Sequence, residues 1–168
     1  MTTLYKLTDA SGFTGANYAT PLQWAPGVTH EISGNDYRGE LCERGIIHAY
    51  ESPLIAVFMN PAHANYGPAR LWRCETDAPI VRHDATKCGV RELTCVEELP
   101  LPEISPAARV RAGVLSAWEV CEEPAWRAWA SKWLSGEDRS RKAALAAAEL
   151  AVDRASWMAV WAAWGAWG

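Results

Sequence analysis

The sequence predicts an α+β protein: a small, mostly antiparallel sheet with one short helix over residues 1–105, then a C-terminal three-helix segment over 106–168. Three observations predict it. Eight of the ten prolines and eight of the twelve glycines lie in the first 105 residues, where short apolar runs sit between turn clusters. Beyond Pro102 apolar residues instead recur every three or four positions, the period of a helix with one buried face. A chain of 168 residues with 49% hydrophobic and 21% charged side chains also has enough apolar matter to close a core.

Strands are predicted at 4–8, 28–32, 45–49, 70–75, 80–83 and 90–96, each bounded by Gly, Pro, Asn or Asp. One helix interrupts them. Ser52-Pro53 supplies an N-cap followed by proline in the first turn, and the apolar run that follows is expected to stop at Asn60-Pro61. Ser105-Pro106 repeats that start, with Val110, Val114, Trp118 and Cys121 forming a stripe. Pro124 opens the next helix, which sets Trp126, Trp129, Ala130 and Trp133 on one side and ends at Ser135-Gly136. The last helix is expected to open at Glu137-Asp138, acids suited to the positive end of a helix dipole, and to continue without a proline.

Charge narrows the function classes. The formal net charge is −4, with 8 Lys/Arg against 13 Asp/Glu in residues 1–105 and 8 against 7 in 106–168. Such a chain offers no basic field to a phosphate backbone, so direct nucleic-acid binding is not expected. Five cysteines, Cys42, Cys74, Cys88, Cys95 and Cys121, form no CxxC pair, and the N-terminal residues carry neither a basic nor an apolar leader. Free thiols and a cytoplasmic setting are therefore expected.

Residues 143–168 are rich in alanine, with Trp157, Trp161, Trp164 and Trp167 spaced by four, three and three. That spacing predicts an apolar seam, packed on the rest of the chain or on a second copy in a homodimer. The final apolar stretch is too short to span a bilayer, and its helix lacks the Lys/Arg face of a membrane-surface segment, so no membrane contact is expected.

Candidate chemistry is densest from Leu41 to Tyr66, where His48, Tyr50, Glu51, Asn60, His63, Asn65 and Tyr66 surround the short helix. His63, Asn60 and Tyr66 are expected binding residues there, alongside Trp157, Trp161 and Trp164 in the tail. Cys42, His48, His63 and Cys74 could offer nitrogen and sulfur to zinc, but their spacings of 6, 15 and 11 match no close-pair ligand pattern, and no metal is expected. A thiol nucleophile would need a basic setting, and Cys88 beside Lys87 has the best neighbour.

Gly45-Ile46, Ala49 and Ala56, in a strand that leads into a short helix, resemble the middle of the ADP-ribosyltransferase fold. That resemblance implies NAD at a cleft around His48 and Tyr50, with Glu92 or Glu97 as the catalytic glutamate. Over nearly the whole chain, Leu41-Cys42-x-x-Gly45-x-Ile47-His48-Ala49-Tyr50, Pro53-Leu54-x-Ala56-Val57-Phe58-Met59-Asn60-Pro61-x-His63-Ala64, Lys87-Cys88-Gly89 and Trp133-Leu134-Ser135-Gly136 resemble an uncharacterised family of bacteriophage and bacterial proteins. The likeness implies a phage-related origin and a host-cytoplasmic setting. The expected function is a small binding protein that occludes a host protein, in host takeover or against a defence system. It needs no cofactor, and its contact surface is the acidic N-terminal part or the Trp-rich helix.

Overall fold

Short runs between turns pair into sheets, and capped runs become helices. In the computed structural model the strands are Thr2–Asp9 (β1), Phe13–Thr14 (β2), Leu22–Gln23 (β3), Thr29–Glu31 (β4), Ile47–Ala49 (β5), Ala69–Thr76 (β6), Arg82–His83 (β7), Cys88–Val90 (β8) and Glu92–Leu99 (β9). The helices are Pro53–His63 (α1), Pro106–Trp118 (α2), Pro124–Ser135 (α3) and Arg141–Val152 (α4). The structure describes residues 1–15, 21–34, 41 and 45–152, the side chains of 150–152 excepted. It is an α+β protein with antiparallel strand pairing, and it divides into two units, Met1–Glu103 and Ile104–Gly168.

In the first unit the strand order is β1-β6-β9-β4 in one sheet and β5-β8-β7 in another. A bridge between Tyr5 and Tyr50, with both backbone bonds formed, joins β1 to the end of β5. Alternation along β1 sends Leu4 into one apolar cluster, with Trp24, Trp72, Cys74, Cys88 and Cys95, and Leu7 into another, with Leu71, Tyr50 and Ala56. The second cluster lies under α1, whose Ile55, Val57 and Met59 pack on it. Indole donors inside this unit are satisfied locally: Trp24 Nε1 donates to Thr14 Oγ1 and Trp72 Nε1 to Thr8 Oγ1, both at 3.0 Å.

Several sequence expectations are corrected. The single strand expected at 90–96 is two, because the chain changes partners at Arg91: Val90 pairs with Ile47 and Glu92 with Glu31. The strand expected at 80–83 shortens to Arg82–His83. Asn60-Pro61 does not end α1, which runs to His63. Pro61 lies in the last turn, where it removes one i→i−4 hydrogen bond without stopping the helix, and the chain turns afterwards on Asn60, whose side chain accepts from Tyr66 N–H at 3.0 Å and donates to Tyr66 O at 2.8 Å. The last helix does not open at Glu137-Asp138. Asp138 instead accepts from Ser140 N–H at 2.8 Å, and Ser140 Oγ accepts from Ala143 N–H at 3.3 Å, so Ser140 caps a helix that starts at Arg141.

In the second unit Ser105 caps α2, and Gly136, at φ 84°, ends α3 with its N–H on Lys132 and Trp133 carbonyls. Val110, Val114, Ala117 and Cys121 meet Trp126, Trp129, Ala130 and Trp133, and α4 adds Ala144, Ala147 and Ala148. Small residues on α4 let that helix lie close against the indoles. Trp157, Trp161 and Trp164, with the expected tail seam, lie outside the described residues.

Candidate functional site

β5 and the residue after it carry His48 and Tyr50 two positions apart, so both belong to one face of the strand. α1 returns His63 to the same place in its last turn. The Tyr50 hydroxyl lies 3.2 Å from His63 Nδ1, and the two rings stack with centroids 5.9 Å apart at 18°. Burial pushes the phenol up to about 12 and His63 below its ordinary value. With the phenol protonated and the imidazole neutral, Tyr50 O–H donates to Nδ1 in the Nε2–H tautomer of His63, and Nδ1–H donates to the phenol oxygen in the other.

His48 differs. One ring nitrogen is bonded to the Leu41 carbonyl, and Nε2 is buried with no hydrogen-bond partner. Burial, then the charges of Lys6 and Lys87, push this histidine down to about 4. At neutral pH it is a neutral imidazole with N–H on the backbone and a bare lone pair on Nε2. It can accept a hydrogen bond, but it is too weak a base to take a proton efficiently near pH 7.

Behind this face lies Lys6, on the inward side of β1 and only 8% exposed. Its ammonium donates to the His48 carbonyl and sits 5.3 Å from the Trp24 ring centroid. Burial pulls the amine down to about 8, opposed by Cys74 and Cys88. The thiols are protonated at neutral pH: burial pushes Cys88 up to about 11 and Cys74 further. The lysine next to Cys88 in sequence therefore does not activate it. Cys74, Cys88, Cys95 and Cys121 are free thiols, and Cys42 lies outside the described residues.

Of the residues singled out in sequence, the fold joins Tyr50 to His63, and Asn60 to the backbone of Tyr66, with His48 in electrostatic reach of His63. Glu92 heads β9 opposite Glu31, on the sheet to which β5 does not belong. The described residues contain no group of three or more His, Cys, Asp and Glu able to hold a metal ion. No described helix is long and apolar enough to cross a membrane. Sequence reasoning missed Lys6 and Trp24, although the alternation of Leu4, Lys6 and Thr8 already sets Lys6 on the side of Leu4. Compared with protein-family models, with curated proteins and with solved structures, the chain finds no match.

Proposed function

We propose that this chain is a small binding protein that occludes a site on a partner protein, a host protein for a phage-encoded chain, and that α1 presents the contact surface. The composition of α1 carries the reading. Its eleven residues, Pro53–His63, include no Asp, Glu, Lys or Arg, yet Ala56 is the helix's one fully buried side chain. Leu54 is 51% exposed, and Phe58, one turn further, is half-buried. A helix on a protein surface ordinarily turns a charged stripe to water, and exposed apolar surface marks interaction sites. An uncharged helix with Leu and Phe at i and i+4 suits a partner with an apolar groove.

The polar groups nearby support binding over catalysis. Tyr50 and His63 satisfy each other, His48 titrates far below neutrality, the thiols far above it, and Glu92 pairs across from Glu31. The ADP-ribosyltransferase alternative, with NAD at His48 and Tyr50, has Glu92 and Glu97 on β9, in a sheet to which β5 does not belong. The reading places the protein in the host cytoplasm as an inhibitor, in takeover or anti-defence, and pairs two copies through the C-terminal helix. The test uses the full chain and a Leu54→Asp, Phe58→Asp double variant as baits in host lysate. One stoichiometric partner held by the first and lost by the second, at unchanged melting temperature, is the expected result. A partner held equally by both, or NAD consumption by the wild type with no partner, contradicts it.

A further inference from the structure

β6 and β9 set Cys74 and Cys95 directly opposite each other, and both side chains are fully buried in the main apolar cluster. The backbone decides how near they come. Cys95 donates its N–H to the Val28 carbonyl at 2.8 Å, and its own carbonyl accepts from Gly27 N–H at 2.9 Å. Both main-chain groups of Cys95 thus point toward the β4 side. Toward β6 the residue therefore stands in a non-hydrogen-bonded pair, where opposite Cα atoms lie about 4.5 Å apart and side chains are closest. That spacing falls inside the range of roughly 4.4–6.8 Å that a disulfide spans. The two sulfurs lie within electrostatic reach of each other, while Cys74 S–H donates to the Trp72 carbonyl at 4.0 Å. The ladder shifts register between Arg73 and Cys74, which gives the backbone slack at this point. Arg70 favours a thiolate at Cys95, and Lys6 favours one at Cys74. Cys88, in the same cluster, faces Ala49 and His83 across its strands and has no opposite thiol.

We propose that Cys74 and Cys95 are a reversible dithiol–disulfide pair, closed by a low-molecular-weight disulfide, which joins β6 to β9 covalently under oxidising conditions. The Cys95 thiol loses its proton and attacks one sulfur of the oxidant, whose S–S bond breaks and releases the first thiolate, which takes up a proton. Cys74, deprotonated in turn, attacks the Cys95 sulfur of the mixed disulfide and expels the second thiol. Two electrons pass from the cysteine pair to the oxidant, two protons go to the released thiols, and one S–S bond replaces another. Because burial raises both thiols, the reaction accelerates with pH and proceeds when the sheet opens at β4, a short edge strand next to Cys95.

The test treats the reduced full-length protein with hydroxyethyl disulfide, alkylates it under denaturing conditions and digests it without reductant. The expected result is an intact protein lighter by two hydrogens, one cross-linked peptide that contains Cys74 and Cys95, and alkylated Cys88 and Cys121. Dithiothreitol restores the original mass, and Cys95→Ala yields no cross-link. The wild-type peptide map decides the matter even where that variant does not fold. No loss of hydrogens, a mixed disulfide that never resolves, or a cross-link between any other two cysteines overturns the proposal.

Discussion

The Tyr50 hydroxyl and His63 Nδ1 share a hydrogen bond of 3.2 Å while the two rings stack, so the last turn of α1 is tied to the strand that precedes the helix. Tyr50 also holds Tyr5 through two backbone bonds. One residue thus fastens α1 to the junction of the two sheets.

Tyr50→Phe keeps the ring and removes the hydroxyl. The partner it abandons, His63, is half-exposed and can turn to water. The expected loss is about 1 kcal/mol, the ordinary net worth of one hydrogen bond. Urea unfolding of the variant measures it, and Tyr50→Ala, which also empties the ring's site, costs about 3–5 kcal/mol.

Stability depends on pH through depressed bases, His48 and Lys6 among them. His48 sits at about 4 against an ordinary 6.5, so the unfolded chain takes a proton first and stability falls as pH drops through that interval. Replacing His48 with Asn makes the acid side of a plot of urea midpoint against pH less steep, the remainder coming from His63 and the lowered carboxylates. On the alkaline side Lys6 titrates at about 8 against 10.5, so stability rises with pH from about 8, until Cys88, raised from 9.0 to about 11, opposes the gain. Lys6→Met removes the rise between those two onsets.

Gly89 has almost no room for a side chain. A Cβ there would meet Ile46 Cδ1 at 2.5 Å, in a core where Ile46 is itself buried. Gly89→Ala is expected to cost about 1–3 kcal/mol by overpacking. Ile46→Val withdraws the offending methyl, so the double variant should be more stable than the two single losses predict when added. Thermal melts of the four proteins complete the cycle.

The fold class was legible because its signals are local. Ser52-Pro53, Ser105-Pro106 and Gly136 act on residues within one turn of themselves, and each marks a helix end in the structure. Asn60-Pro61 misled because a proline in a final turn removes one hydrogen bond without stopping the chain, and Asp138 because a carboxylate near a helix start can capture a turn instead. Long-range pairing was not legible. Nothing near Arg91 in sequence announces that the strand changes partners there, and that change sets Glu92 opposite Glu31 rather than beside β5. The apposition of Cys74 and Cys95 depends on register across 21 positions, which cysteine spacing does not encode. Within the candidate cleft, Tyr50 and His63 were readable as neighbours because one short helix separates them.

The central claim is that α1 meets a protein partner through Leu54 and Phe58. The most direct measurement places a photo-activatable phenylalanine analogue at position 58 of the full chain, and in a control at Asp77, whose side chain is 75% exposed. After irradiation in host lysate, the account predicts one discrete heavier adduct from position 58 and none from position 77. No adduct at 58, or the same adducts from both positions, would contradict it.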